Sequence, residues 1–417
     1  MNLYRLELKR VCKTRMTAIL LAIALVLAVV MAYLPVTFIG WTELDASGNE
    51  VRYTGLKAIR KRQEQQVSGT ITPDVMQEAL EAYQRVYRQH DASSINDIPV
   101  EVFYKELARY QPLVNNAKEA FADPKTGMAP GVMGLTAEDM QNFYSQLPKR
   151  LESVIWLEQS GKPGYEQAQA IAQKKFDAVQ KPFTYSFGVS SDAMDYQTLL
   201  SLLLTLLCAV IAAPVFASDA QTGAQDIQLC TKNGGLRLAA AKLAAAFSIT
   251  GAAYLLCGVV WILVTNALFG WESTKTSVQW LFSVTSLLPY TVGQMEWIML
   301  VTNFLIFFAE VAFVLMASVW AKNNLTALSV ALISVVAPLI AYMVVPGSFG
   351  EWLSTLLPAG GIGLSNALLY KMISFDFLYA GRHAFFQADV LLASAPVKIV
   401  LLVGLAAWGY LRKTKVA

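Results

Sequence analysis

Two charged side chains, Glu310 and Lys398, interrupt long apolar segments of the sequence. A carboxylate within a membrane-crossing helix is costly unless it is protonated, paired or facing water, so it marks a candidate functional site. Measured along a helix from the basic residues Lys322 and Arg412, the two charges reach a similar depth, and a pair between them is one hypothesis. The alternative is that Lys398 reaches the membrane surface and Glu310 bonds a neighbouring serine, asparagine such as Asn303, or backbone group.

Several other kinds of chemistry are excluded by counting residues. The chain has two histidines and four cysteines, and no pair of cysteines has metal-ligand spacing. We therefore predict no metal site and no disulfide framework. The apolar segments contain no clustered nucleophile and base, so no catalytic residue is predicted. The sequence also lacks GxxxxGK[ST], the loop that cradles nucleotide phosphates, and no cofactor is expected in this chain.

The composition indicates an integral membrane protein. Of 417 residues, 55% are hydrophobic and 15% are charged, and the mean hydropathy of +0.44 is too high for an ordinary soluble domain. The net charge of +3 is too small for the basic field of a nucleic-acid-binding protein. A bilayer core of about 30 Å needs roughly 20 apolar residues in a helix. Six spans are predicted, over 16–39, 197–217, 241–269, 296–320, 324–345 and 388–411.

Basic residues cluster at alternate ends of these spans, and this pattern predicts their orientation. Lysine and arginine are retained on the cytoplasmic side, so both termini are predicted to be cytoplasmic in the cell membrane of a bacterium. Residues 1–15 are predicted to form a helix in the headgroup plane, the alternative being a simple charged flank. The clustered residues are Arg5, Lys9, Arg10, Lys13, Arg15, Lys232, Arg237, Lys242, Lys322, Arg412, Lys413 and Lys415.

This orientation leaves residues 40–196 outside the cell, where we predict a compact helical domain. One helix should begin after Pro73, and two more are predicted over 100–121 and 163–180. A further helix start is indicated by Thr136 and the acid three residues later, which is typical of a capping box.

Two segments are apolar but too short or too irregular to cross the membrane, namely 277–292 and 346–387. Both are predicted to be re-entrant or interfacial near the outer surface. Acidic residues at the predicted outer ends are expected to form a solvated negative rim rather than a site for cationic peptides. These residues are Asp192, Asp195, Glu272, Glu296 and Glu351.

The loop between the second and third spans, residues 218–240, is the most informative part of the sequence. Glycines and an asparagine offer easy access to positive φ on either side of about two helical turns, Ala224 to Thr231. The apolar residues of this short helix are predicted to face the cytoplasm, where a partner groove would cover them; the alternative is a loop folded back on the membrane. The turn residues are Gly223, Asn233, Gly234 and Gly235, and the apolar residues are Ile227, Leu229 and Cys230.

The same loop resembles the cytoplasmic loop of type-2 ATP-binding-cassette (ABC) exporter permeases. An acid just after a span is followed by a glycine four residues on, by a short helix ending in Leu-x-Thr, and then by Asn-Gly-x-x-Arg and a lysine. The resemblance implies a coupling helix that docks in a groove of a separate ATPase subunit. The implied coupling residues are Asp219, Gly223, Asp226, Ile227, Leu229, Cys230 and Arg237.

Spans and resemblance together predict an all-α integral membrane protein. It would have an N-terminal interfacial elbow helix, six transmembrane helices, a helical extracellular domain between the first two, and a five-span membrane domain over 197–417. The resemblance implies that ATP and Mg²⁺ bind in two copies of a partner ATPase and that a second permease chain completes a homodimer or heterodimer. The expected function is substrate export or extrusion. The alternative is immunity or sensing, in which the extracellular domain captures an antimicrobial peptide or an envelope component.

Overall fold

The computed structural model describes residues 3–44, 50–364 and 366–414, so Lys415 and the first two residues of the predicted N-terminal helix lie outside it. The described chain is mostly helical. In chain order its α-helices are α1 (Leu3–Cys12), α2 (Arg15–Phe38), α3 (Leu56–Gln65), α4 (Pro73–Gln89), α5 (Val100–Val102), α6 (Gln111–Ala120), α7 (Ala137–Gln141), α8 (Phe143–Gln159), α9 (Tyr165–Asp177), α10 (Ser191–Ala212), α11 (Pro214–Thr222), α12 (Ala224–Leu229), α13 (Leu236–Phe269), α14 (Val278–Leu281), α15 (Val292–Trp320), α16 (Asn324–Val344), α17 (Gly347–Leu356), α18 (Leu368–Ile373) and α19 (Gln387–Thr414).

Within the described residues, six helical segments are long and apolar enough to cross a membrane, as in a multi-pass membrane protein. They are α2, α10 with α11, α13, α15, α16 and α19, which confirms the six predicted apolar helices. Three of them, α10, α13 and α15, begin four to six residues before the predicted start, and α10 and α15 do so at polar caps. Their polar caps, Ser190 and Thr291, accept hydrogen bonds from the first turn, and hydropathy marks only the apolar part of each helix.

The helix of the second span is broken at Pro214, which cannot donate a backbone hydrogen bond and so begins α11 as a new helix. Ser318 of α15 fills the gap. Its hydroxyl donates to the Ala213 carbonyl oxygen at 2.6 Å and accepts from the N–H groups of Phe216 and Ala217, each at 3.0 Å. The break between α10 and α11 is therefore held in place by a neighbouring helix.

The all-α prediction is incomplete, because the described residues also contain three two-stranded antiparallel sheets. Two of the sheets are hairpins, and the third joins two strands that are far apart in the sequence. All three are short and lie outside the apolar helices. Their strands are β1 (Gly40–Leu44) with β2 (Glu50–Thr54), β3 (Gly69–Thr70) with β4 (Thr184–Tyr185), and β5 (Phe377–Ala380) with β6 (His383–Phe386).

Residues 40–190 form an inserted domain between α2 and α10, and much of its helical pattern is as predicted. The side chain of Thr72 caps α4 by accepting from the Val75 N–H. Thr136 and Asp139 form the predicted capping box of α7, with hydrogen bonds of 3.1 and 2.8 Å. The start signals in the sequence therefore identify real helix ends.

The segment predicted as one helix over 100–121 is helical from 100 to 120, but its hydrogen-bond pattern is irregular. This segment is divided into α5, a π-helical turn over Phe103–Leu107, a 3₁₀ turn over Ala108–Tyr110, and α6. Pro112 lies in the first turn of α6, where its missing N–H costs nothing, and so favours a new helix start.

The inserted domain packs on the two segments that were difficult to place from sequence. Ser283 donates a hydrogen bond of 2.5 Å to Glu119 of α6, and Gln159 of α8 donates to the Phe375 carbonyl oxygen at 2.8 Å. The two ends of the domain lie close together. Phe38 is the last residue of α2, Tyr196 lies in the second turn of α10, and the centres of their rings are 5.9 Å apart. These contacts fix the domain at one end of the helices.

Candidate functional site

The loop between α10 and α13 consists of two short helices joined by a left-handed turn. α11 ends at Thr222, and Gly223 has a φ of +73°, which glycine adopts without steric cost. After α12, Gly234 packs so closely that an added Cβ atom would lie 1.8 Å from the Gln228 carbonyl oxygen. Gly223 thus has the predicted positive φ, whereas Gly234 is required for close approach and does not have a positive φ.

α12 presents one strongly exposed apolar side chain. Ile227 is 74% exposed, and Asp226 and Cys230 are exposed beside it. Leu229 instead packs partly buried against the helical core, so the prediction that all three apolar residues are exposed is wrong for this one. Two residues correspond to about 200° of helix rotation, which turns Leu229 away from the face of Ile227.

Asp219 of α11 accepts hydrogen bonds from two cations beneath α12. The guanidinium of Arg10 in α1 donates to its two carboxylate oxygens at 2.9 and 3.0 Å, and Lys242 of α13 donates as well. Arg10 also forms an ion pair with Glu7, at 2.8 Å. Two cations face two carboxylates, so this charge network of Glu7, Arg10, Asp219 and Lys242 is neutral and joins three helices.

Lys242 links the charge network to α12. Its side chain is fully buried, and the ammonium also donates to the side-chain oxygen of Gln228 in α12 at 2.9 Å. The ammonium lies 5.4 Å from the centre of the Phe216 ring and 5.8 Å from that of the Tyr410 ring. Sequence reasoning used Lys242 as a marker of orientation and as the last residue of the loop motif, but not as a partner of Asp219. Lys242 lies near the start of a long apolar helix, 23 residues after Asp219. A lysine and an acid in these positions are the signal from which the pair could have been predicted.

Only Asp219 of the predicted coupling residues belongs to the charge network, and the two charged ones that remain lie outside it. Arg237 is exposed and donates to the side chain of Asn233 at 3.3 Å, within the same loop. Asp226 lines an open groove of about 570 Å³ between α12 and the end of α19, together with Leu229 and Trp320. The loop therefore has a network on its inner side and an open groove beside it.

A scan of protein-family models, a search of curated proteins and a search of solved structures find no match to this chain. Function is therefore inferred from the geometry of the loop. Of the coupling residues predicted from sequence, Asp219 is the centre of the network and Gly223 is the turn. The others lie on α12, just after it or at the start of α13.

The hypothesised pair of Glu310 and Lys398 is not formed as a direct ion pair, although the two charges lie close enough to interact electrostatically. Glu310 is fully buried in α15 and accepts a hydrogen bond from Ser334 of α16, as the alternative reading expected. Lys398 donates to the carbonyl oxygens of Thr355 and Leu357, each at 3.0 Å, at the C-terminal end of α17. Among the described residues no ion pair joins the two. Similar depth therefore does not make two charges direct partners when each has a nearer group to bond.

Glu296 was expected on a solvated rim, but it is fully buried. The side chain of Asn266 donates to its carboxylate at 2.6 Å, and Gln197 donates to its backbone carbonyl oxygen at 2.9 Å. Asn303 and Gln197 line the same small cavity between α10, α13 and α15. A carboxylate four residues inside a helix start is thus part of the polar interior of the helical bundle, and not of its surface.

Proposed function

We propose that this chain is the transmembrane permease subunit of a type-2 ABC exporter, in which ATP hydrolysis by a separate ATPase subunit drives export or extrusion of a substrate. The observation that carries the proposal is α12, an exposed short helix tied through Gln228 to the buried pair of Lys242 and Asp219. Ile227, strongly exposed on α12, offers a partner an apolar side chain to cover. The charge network offers a path from that partner into α1 and α13.

The sidedness of the proposal is supported by contacts that gather the basic segments at one end of the helices. Gln221 of α11 accepts from the backbone N–H of Asn324 at 3.0 Å, and Lys413 of α19 donates to the Val319 carbonyl oxygen at 2.6 Å. Because lysine and arginine are retained in the cytoplasm, this end would be cytoplasmic and the inserted domain extracellular.

The role proposed for α1 is that of an interfacial elbow helix. Leu6 is 39% exposed, and the basic residues Arg5 and Lys9 are exposed beside it. Glu7 and Val11 are buried on the opposite side. A helix that packs one face on its neighbours and offers leucine and basic residues on another suits the boundary of apolar lipid and anionic headgroups.

In the proposed mechanism, ATP binding moves the groove of the partner that holds α12. Gln228 passes this displacement to Lys242 and thus to α13, while Asp219 passes it to Arg10 and α1. The apolar helices then rearrange to release the substrate outward. As in the family it resembles, two permease chains and two ATPase copies would form the exporter, with ATP and Mg²⁺ in the ATPase subunits.

The test is affinity purification of the tagged chain from its native membrane in mild detergent. Co-purifying chains are identified and ATP hydrolysis is measured for the unmodified chain, for Ile227→Asp and for a matched variant, Leu325→Asp. Leu325 is also 74% exposed but begins α16 and lies outside the loop. We expect an ATPase to co-purify with the unmodified chain and with Leu325→Asp, and to be lost with Ile227→Asp.

Two results would contradict the proposal. Recovery of no ATPase with the unmodified chain would favour a stand-alone receptor or carrier. Recovery of an ATPase that Ile227→Asp does not release would place its docking surface away from α12.

A further inference from the structure

A groove of about 630 Å³ lies where the inserted domain meets the apolar helices. It is enclosed by α9 of the domain, by the segment before α15, by the first turns of α15 and α19, and by α18. Its size is within the range of pockets that hold small-molecule ligands. The groove lies at the opposite end of the helices from α12, and none of the coupling residues lines it.

The domain side of the groove is basic. Lys174 and Lys175 of α9 line it, and Asp389 of α19 faces them. Lys175 forms an ion pair with Asp389 at 3.0 Å and lies 4.4 Å from the centre of the Phe386 ring. Lys174 is exposed and forms no ion pair with any described residue. One positive charge therefore remains uncompensated at the mouth of the groove.

The other side of the groove is apolar and follows the helices away from the domain. Ile298 and Thr302 lie one turn apart on α15, and Leu392 faces them from α19. Trp297, beside Ile298, is 45% exposed on the outer surface of α15. An exposed tryptophan near the end of a membrane-crossing helix is typical of the headgroup level, so the apolar side of the groove extends from there toward the acyl chains.

We propose that this groove binds an anionic lipid from the surrounding membrane leaflet. Its headgroup would lie at Lys174, and one acyl chain would lie along Ile298, Thr302 and Leu392. A soluble anion would leave the apolar side uncovered, and a zwitterionic lipid would bring a cationic group beside the phosphate that pairs with Lys174, which weakens the net attraction. The combination of an uncompensated lysine and a membrane-facing apolar wall therefore selects a negatively charged amphiphile.

The test measures lipid binding by the purified full-length chain in neutral detergent. Native mass spectrometry is used to count bound phosphatidylglycerol and phosphatidylcholine over a titration, with glycerol phosphate as a headgroup without acyl chains. Lys174→Glu reverses the charge at the groove, and Lys149→Glu makes the same change at another exposed lysine of the domain. Thr302→Trp fills the apolar side, and Val301→Trp adds the same volume on a side chain that is 61% exposed.

We expect the unmodified chain to retain one phosphatidylglycerol in preference to phosphatidylcholine, and glycerol phosphate not to bind. Lys174→Glu should weaken phosphatidylglycerol binding by about fivefold or more, because the variant loses one solvated ion pair with the headgroup and replaces it with a repulsive charge. Thr302→Trp should abolish binding of both lipids, while both control variants bind as the unmodified chain does. Because the assay contains no ATPase, its result is independent of the proposed function.

Three outcomes would overturn the inference. Equal binding of the two lipids, unaffected by Lys174→Glu, would show that the groove does not select charge. Binding of glycerol phosphate that survives Thr302→Trp would indicate a simple anion site. Equal loss with Lys174→Glu and Lys149→Glu would indicate general attraction to the basic surface of the domain. If Thr302→Trp fails to fold, the comparison of Lys174→Glu with Lys149→Glu, both at exposed positions, still tests whether the groove selects an anionic lipid.

Discussion

Arg10 and Asp219 are 209 residues apart in the sequence, yet the guanidinium donates two hydrogen bonds to the carboxylate. Lys242 shares that carboxylate and is fully buried, so Asp219→Asn leaves a buried cation without its counterion and should cost about 3–5 kcal/mol. Arg10 is one-third exposed and Lys242 still pairs with Asp219, so Arg10→Gln should cost less, about 1–3 kcal/mol, mainly because the buried carboxylate of Glu7 loses its cation.

The midpoint of thermal unfolding of the purified protein in detergent shows which of the two variants loses more stability. Arg5→Gln serves as the control, because Arg5 is an exposed arginine of the same helix. If Arg10→Gln lowered the midpoint as far as Asp219→Asn, the assignment of Lys242 as the dominant partner of Asp219 would be wrong.

Gly234 should tolerate no side chain, although it does not have a positive φ. The Cβ atom of Gly234→Ala would meet the backbone oxygen of Gln228, so α12 must shift. Gly235→Ala is the matched control, since its nearest neighbour would be 4.0 Å away. We expect faster maleimide labelling of Cys230 in Gly234→Ala than in Gly235→Ala, measured with Cys12→Ser because both cysteines are exposed. Equal labelling rates would show that α12 does not depend on this contact.

Two double-mutant cycles should give different coupling energies. Asp219 and Lys242 are in direct contact, and their removal together, as Asp219→Asn with Lys242→Met, should cost less than the sum of the single changes by about 0.5–3 kcal/mol. Glu310→Gln with Lys398→Met should show a smaller coupling, because Glu310 bonds Ser334 and Lys398 bonds carbonyl oxygens. Thermal unfolding of the four single and two double variants gives both values. Equal coupling in the two cycles would contradict the separate roles of Glu310 and Lys398.

The stability of the inserted domain should depend on pH through Glu119. Burial raises the pKa of Glu119 above its ordinary value of 4.5, and the hydrogen bond from Ser283 only partly opposes this effect. The folded state therefore holds the proton more tightly than the unfolded state. The stability gained from protonation is complete below pH 4.5 and is lost as the pH rises through the folded-state pKa.

Glu119→Gln removes the buried charge and keeps the acceptor for Ser283. We expect the variant to unfold at a higher temperature than the unmodified chain at pH 8, and the difference to shrink toward pH 5. Glu64→Gln, at an exposed position, should behave as the unmodified chain at both pH values. A benefit of Glu119→Gln that did not vary with pH would exclude titration of this carboxylate as its cause.

The apolar helices could be predicted because their signal is local. A run of about 20 apolar residues is visible in the sequence whatever it packs against, and caps such as Thr136 need only a residue three positions away. The irregular hydrogen bonding within 100–120 was missed because it is set by packing and by Pro112 rather than by hydrophobic periodicity.

The partners within the candidate site were harder to predict. The loop residues were identified by type and spacing, but the contacts of Asp219 with Arg10 and Lys242 cross between helices. Pairing Glu310 with Lys398 by depth failed for the same reason, since sequence position gives no rotation about the helix axis. Residues that meet across a bundle become apparent only when the helices are packed together.

Phe38 and Tyr196, on the helices that flank the inserted domain, lie next to each other. Their proximity bears on which insertions the chain can accept. The chain leaves α2 and returns to α10 at nearly the same place. The distance between these two helix ends is therefore the same whatever the length of the inserted segment. A shorter, longer or unrelated insertion could be exchanged there without moving α2 or α10. One framework could in this way carry different inserted modules over evolutionary time, while the end that carries α12 stayed constant.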